Sequence, residues 1–203
     1  MLTAWPFTTK YFLSYASRAF EFSRVFLFKW TVNWRFVDEE VFLSKPFSIG
    51  LLVAHGALLT LFAATRWLAP SKMSVIDNIK SLYIQPSPQK QGDIASRVTP
   101  RFILTTILTA NVIGMLCARS LHYQFYALLA WSTPFLLWRA GLHPILQYVL
   151  WGLQEVAWNI YPSTTASSLT VVAILFIQVA AVWYATGSQD TPARIDKKKR
   201  HAE

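Results

Sequence analysis

Residues 102–138 read FILTTILTANVIGMLCARSLHYQFYALLAWSTPFLLW, two apolar runs parted by one polar turn, Arg119-Ser120-Leu121-His122-Tyr123-Gln124. Each run approaches the about twenty residues that an α-helix needs to cross ~30 Å of hydrocarbon. Read as a helical hairpin in a bilayer, the stretch decides the fold class. A guanidinium and an imidazole between two membrane helices are costly to desolvate, so they sit at the bilayer edge or face a polar cavity. In the first case Arg119 snorkels and Tyr123 anchors the interface. In the second the turn holds an anion, and its density of donors favours this reading: Arg119 for bidentate phosphate contact, His122 when protonated, Tyr123 and Gln124 as neutral donors.

Composition supports the membrane assignment. The 203 residues are 54% hydrophobic and 14% charged, whereas soluble domains carry about a quarter charged residues. The net charge of +9 would suggest nucleic acid in a soluble protein, but here the cations flank apolar runs, so topology explains them and no nucleic acid is expected. The single Cys117 lies in an apolar run, with no disulfide partner and no metal-ligand spacing. No cleavable signal peptide is expected at Met1, since Leu2 to Phe7 lack a basic region and a cleavage site. Gly-rich phosphate loops, His-Glu-x-x-His, Gly-x-Ser-x-Gly and paired cysteines are absent from the sequence. The four histidines, His55, His122, His143 and His201, are scattered, so no metal is expected. His55, inside an apolar run, reads as a helix-interface residue.

The pattern predicts an all-α, multi-spanning membrane protein with about five transmembrane helices. Residues 1–46 form a first segment with an interfacial amphipathic helix, and 47–186 carry the spans at about 47–65, 102–118, 123–138, 143–158 and 167–185. Within 66–101 lies an aqueous loop with a short surface helix near Val75 to Tyr83, and Pro134 is expected to kink the third span. The fourth, with Gln147, Gln154 and Glu155, is amphipathic and suits a bundle interior. Residues 187–203 are a basic tail. Placing the C-terminus in the cytosol puts twelve of the 19 Lys and Arg residues inside, as the positive-inside rule favours. The Arg119 turn then shares the outer side with Asn159 to Ser168.

Two further segments could carry chemistry. Tyr11 to Trp30 sets Phe12, Tyr15, Ala19, Phe22, Phe26 and Trp30 on one stripe and Ser14, Ser17, Arg18, Glu21 and Arg24 on another, as in an interfacial helix. The sequel Lys29-Trp30-Thr31-Val32-Asn33-Trp34-Arg35-Phe36 interleaves cations with large aromatics. It reads as an aromatic belt, or as a platform with Lys29 and Arg35 on a lipid phosphate and Trp30, Asn33 and Trp34 on a sugar. Glu155, followed by Asn159 and Tyr161, would pair with Arg119 or Lys29, or bind sugar hydroxyls. Asp38-Glu39-Glu40 reads as a solvated run near a helix start.

Four blocks, Ser17-Arg18-Ala19-Phe20-Glu21, Phe26-Leu27-Phe28-Lys29-Trp30-Thr31-Val32-Asn33-Trp34-Arg35-Phe36, Arg119-Ser120-Leu121-His122-Tyr123-Gln124-Phe125-Tyr126 and Trp158-Asn159-Ile160-Tyr161-Pro162-Ser163-Thr164, together resemble the dolichyl-phosphate-mannose-dependent α-1,3-mannosyltransferases of the endoplasmic reticulum. The likeness runs from Tyr15 to Trp183. It implies the C-terminal half of a GT-C-type glycosyltransferase in the endoplasmic reticulum membrane, its active-site side lumenal and its C-terminus cytosolic. The implied donor is dolichyl phosphate mannose, and the acceptor is the dolichol-linked five-mannose oligosaccharide of N-glycan precursor synthesis; membrane lipids are further partners.

On this likeness Arg119, His122, Tyr123, Gln124, Lys29 and Arg35 would bind the lipid phosphate, and Trp30, Asn33, Trp34, Glu155, Asn159 and Tyr161 would shape the saccharide pocket. Members of this family are about twice as long, so the general base is expected in an N-terminal half that this chain lacks, and the chain alone is expected to be inactive. No cofactor is implied, because Arg and His can neutralise a leaving phosphate. Two other classes fit the same residues: a non-catalytic membrane scaffold, and a protein that handles lipid phosphates. The Lys197-Lys198-Lys199-Arg200 run suits a cytosolic end near anionic lipid and loosely resembles a lysine-based retrieval signal.

Overall fold

The computed structural model describes residues 5–19 and 27–187. The expected positions of Glu21, Phe22, Arg24 and Phe26, and the basic tail with Lys197 to Arg200, lie outside these residues. Among the described residues the structure is helical and contains no strand.

Short helices α1 (Trp5–Lys10), α2 (Phe12–Ala19) and α3 (Glu39–Leu43) precede the long α4 (Lys45–Phe62), and α5 (Val75–Lys80) and α6 (Pro88–Arg97) follow it. The main bundle is α7 (Pro100–Leu116), α8 (Tyr126–Arg139), α9 (Pro144–Asn159) and α10 (Thr165–Gly187). Helix starts repeat one chemical device. Ser44, Ser87, Thr99 and His143 accept from backbone N–H groups of the first turns of α4, α6, α7 and α9, each with a proline at the first or second helical position. The capping side chain satisfies an orphan donor, and proline has no N–H to leave unpaired there. Asp38 caps α3 through Glu40 N at 2.9 Å, so one member of the acidic run works at a helix start. At the other end of α8, Gly141 takes φ +68°, the left-handed turn that lets the chain reverse toward α9.

α10 packs against α7, α8 and α9, and α4 lies on the edge against α7. His55 sits there, its Nε2 facing Gly114 of α7. The core is apolar, with Val112, Leu129, Leu136 and Leu175 fully enclosed. Across it runs a buried polar ladder: Thr133 of α8 and Gln154 of α9 exchange hydrogen bonds at 2.9 and 3.1 Å, and Gln178 of α10 donates to Gln154 at 3.0 Å. Such side chains pair across helices because hydrocarbon offers them no alternative partner. Gln147, by contrast, turns back to the Leu142 carbonyl at 2.7 Å.

Several expectations need correction. The interfacial helix does not run unbroken from Tyr11 to Trp30: α1 and α2 occupy residues 5–19, and Leu27 is extended before a tight turn at Phe28–Trp30. The loop 66–101 holds two helices, because Ser87-Pro88 starts α6 as well as Ser74 starting α5. The first apolar helix does not stop near Thr65 but widens into a π-helical turn at Ala63–Trp67. The stretches Lys45–Ser71 and Thr165–Gly187 are long and apolar enough to cross a membrane, and α6 with α7, bent by 74°, make a third if taken as one broken span. α8 and α9 have 14 and 16 residues. At 1.5 Å per residue they reach about 21–24 Å, short of a ~30 Å core. α8 continues through Pro134.

The bundle has two contrasting ends. One gathers residues 27–45, the Arg119 turn and residues 160–168. At the other, a cavity of about 630 Å³ opens between the ends of α4, α6, α7, α8 and α10.

Candidate functional site

Residues 31–33 form the floor of the first end. Thr31, Val32 and Asn33 are fully buried although they belong to a loop. The backbone accounts for itself there: Val32 N donates to Leu121 O at 2.8 Å, and Ser163 Oγ donates to Val32 O at 3.3 Å. Asn33 makes the central clamp. Its Nδ2 donates to Ala118 O at 2.7 Å, while its Oδ1 accepts from Leu121 N and from Thr31 Oγ1, both at 2.8 Å. Trp34 adopts a left-handed φ of +58° and donates its indole N–H to the same Ala118 carbonyl at 2.9 Å. Arg35 N then donates to Ser168 Oγ at 2.7 Å. Three loops distant in sequence are thus knitted into one surface. Fully buried and bonded through both ends of its amide to Ala118, Leu121 and Thr31, Asn33 acts as a clamp beneath the site.

Two groups stand on this floor. In the first, the Arg35 guanidinium lies over the Phe28 ring at 4.5 Å and donates to Phe28 O at 3.0 Å. The Arg119 guanidinium lies 5.5 Å from the Phe42 ring, and the Phe28 and Phe42 rings touch at 5.1 Å between centroids. The two guanidinia are therefore presented on phenyl rings that touch one another, which holds each cation in place.

The second group is an aromatic ledge. Trp30 stacks with Tyr161 at 6.3 Å, and Tyr161 meets Tyr123 edge-on at 5.6 Å. Lys29 lies over the Trp30 ring at 5.5 Å, and His122 Nδ1 approaches Trp30 O at 3.2 Å. Tyr123 donates to Ile160 O at 2.8 Å, and its own carbonyl accepts from Trp158 Nε1 at 3.1 Å. Tyr161 is joined to Pro162 by a cis peptide bond. Gln124 is exposed in the short turn Tyr123–Phe125.

Glu155 stands apart from both cation groups. The partner of its carboxylate is the Tyr126 hydroxyl rather than the expected Arg119 or Lys29, because Tyr126 opens α8 directly beside α9 and packs its ring on Trp158 at 6.0 Å. Asn159 donates to the Glu155 backbone carbonyl at 2.8 Å, closing the last turn of α9. Thus the structure brings Lys29, Trp30, His122, Tyr123 and Tyr161 together, places Arg35 and Arg119 on the touching Phe28 and Phe42 rings, and engages Asn33, Trp34 and Asn159 in hydrogen bonds to backbone. Among the described residues no group of three or more His, Cys, Asp or Glu side chains is placed to hold a metal ion.

Sequence reading missed Thr31, Phe42, Tyr126 and Ser168. Only Ser168 left a local sign, in the hydroxyl-rich Ser163-Thr164-Thr165-Ala166-Ser167-Ser168 before an apolar run. Thr31 matters through its bond to Asn33, Tyr126 through Glu155 29 residues away, and Phe42 through Arg119 and the Phe28 ring, neighbours that no spacing announces.

Chemically, the guanidinium pair suits a phosphate, and the ledge offers flat faces to the C–H side of a sugar ring. The family follows from comparison with known proteins. A relative in Neurospora crassa, named Dol-P-Man:Man(5)GlcNAc(2)-PP-Dol alpha-1,3-mannosyltransferase, is 52% identical over 199 residues, covering 96% of this chain and 45% of the relative. Proteins of the same name match in Scheffersomyces stipitis, at 46% identity over 84% of this chain and 36% of the relative, and in Homo sapiens, at 38% over 96% and 43%. The chain thus spans less than half the length of these relatives. No solved structure matches it. Residues 1–168 match the ALG3 protein family, and the chain belongs to that family.

Proposed function

We propose that this chain forms the donor-binding portion of a dolichyl-phosphate-mannose-dependent α-1,3-mannosyltransferase acting on the dolichol-linked five-mannose oligosaccharide. The observation that carries the reading is the 52% identity to a protein so named, maintained over 96% of the chain. In this reading Arg119 and Arg35 neutralise the lipid phosphate, His122 adds a donor, and Trp30, Tyr123 and Tyr161 flank the mannose. The acceptor hydroxyl attacks the anomeric carbon, the carbon–oxygen bond to phosphate breaks with its electron pair leaving on phosphate, and a carboxylate base outside this chain takes the proton. Inversion at a β-linked donor yields the α linkage. The reading includes a GT-C-type bundle of five spans in the endoplasmic reticulum membrane. There α8 and α9 complete their crossing within the assembled protein, the C-terminus is cytosolic and the Arg119 end is lumenal.

The test is mannose transfer from dolichyl phosphate mannose in a full-length protein containing this sequence. Arg119→Ala is expected to lower transfer about a hundredfold, as for loss of a preorganised charge donor, and His122→Ala about tenfold, with insertion unchanged. Near-normal transfer in both variants refutes the phosphate assignment. The chain expressed alone is expected to transfer no mannose, and measurable transfer would mean that the base lies within it.

A further inference from the structure

We infer that the cavity at the opposite end of the bundle is a second anion site, built to take the phosphate of an anionic headgroup. Among the described residues five cations, Arg66, Lys72, Arg97, Arg101 and Arg139, line it, and no carboxylate does. Like charges converging on one partly enclosed space repel one another unless an anion joins them. Positive charge near membrane boundaries also sets topology, but topology needs cations in loops and places no demand on their convergence. These cations come from three stretches of the chain, 66–72, 97–101 and residue 139.

Two of the five are fixed by contacts that leave donors over. Arg66 donates Nε and Nη2 to Trp183 O at 3.2 Å, with its guanidinium 3.9 Å from the Trp183 ring, and Arg97 donates Nη1 to Pro70 O at 2.6 Å. A guanidinium has five N–H donors, so each keeps some for a ligand. Arg101 rests over Trp138 at 5.1 Å.

A second, independent sign lies deeper. Arg101, Thr105 and Thr109 line the cavity at four-residue spacing along α7, one face of the helix. Thr105 satisfies its hydroxyl on the Arg101 carbonyl at 2.7 Å, whereas the Thr109 hydroxyl, on a residue 1% exposed, is buried with no hydrogen-bond partner. A buried polar group without a partner costs free energy that a ligand can return. A headgroup phosphate on the cations, with ester carbonyls reaching inward to Thr109, meets both requirements; free phosphate meets only the first.

The site is tested on the purified chain in nanodiscs of phosphatidylcholine with added phosphatidic acid, by native mass spectrometry of the retained lipid. Wild type is expected to retain phosphatidic acid above its share of the nanodisc. The double variant Arg101→Gln/Arg139→Gln is expected to lower that enrichment about tenfold, from the loss of charge-assisted hydrogen bonds, and Lys90→Gln, an exposed control, to leave it unchanged. Thr109→Val keeps every charge and most of the shape. It is expected to lower enrichment about threefold, and it decides the matter if the double variant does not elute as a single species. A parallel titration of lipid-depleted protein with inorganic phosphate separates the sources: binding of free phosphate that the double variant loses, without lipid enrichment, keeps the anion site and assigns it a soluble ligand. Absence of both signals in wild type, or wild-type enrichment in both Thr109→Val and the double variant, overturns the inference.

Discussion

At one end of the bundle Arg35 and Arg119 rest on phenyl rings above a floor where three loops exchange backbone hydrogen bonds. At the other, five cations line a cavity of about 630 Å³. The contrast is between positive charge held over a loop floor and positive charge gathered around a cavity. A guanidinium on an aromatic face over a clamped loop is preorganised, so the loop carries the stability and the cation contributes little to it. In the open cavity Arg66 and Arg97 are tied to backbone carbonyls of neighbouring segments, and the cations converge on one space.

Removing the floor is therefore expected to be the most damaging change. Asn33→Ala deletes three hydrogen bonds and leaves the buried Leu121 N–H without its partner. At about 1 kcal/mol each, the stability loss is about 3 kcal/mol, measured by thermal unfolding in detergent. An unchanged midpoint would break the contrast at its structural end. Next in size, Gln154→Leu cuts the ladder from Thr133 to Gln178 in the bundle centre and should cost about 1.5 kcal/mol in the same assay. If it costs more than Asn33→Ala, the ladder rather than the loop floor holds the bundle together.

Trp30→Ala removes the ledge face that stacks with Tyr161 and should raise the KM for donor about fivefold in a full-length protein, with kcat little changed, equivalent to about 1 kcal/mol of lost ring contact. A purely lowered kcat would move Trp30 from binding to positioning. The smallest effect is expected for Arg101→Gln, whose unfolding midpoint should stay within about 0.5 kcal/mol of the parent because the side chain faces the open cavity. A large loss there would make the second end structural like the first.

The helical character of the chain was legible because uninterrupted apolar runs have few other solutions in lipid, and the Ser-Pro and Thr-Pro pairs mark where helices begin. The cation and aromatic types of the candidate site were legible from their density in Phe26 to Phe36 and Arg119 to Gln124. Their partition was not. Arg119 on the Phe42 ring, His122 at the Trp30 carbonyl and the Asn33 clamp on Leu121 are contacts made across 77 to 92 residues of chain. Glu155 looked like an ion-pair partner because sequence shows charge but not neighbours, and the start of α8 brings Tyr126 to it first. The basic cavity left no local mark at all, since Arg66, Arg101 and Arg139 each read as an ordinary helix flank.

The widened turn at Ala63–Trp67 has a consequence for that cavity. Leu68 N reaches back five residues to Ala63 O at 3.0 Å, so the end of α4 holds one residue more than α-helical spacing allows. The surplus resets the angular phase of everything beyond it, and with that phase Arg66 meets the Trp183 carbonyl and ring. Deleting Ala64 would return the turn to ordinary spacing and swing Arg66 through about 100°. Such a deletion would act as a rotation, turning a cation out of the cavity wall while leaving the apolar length of α4 intact.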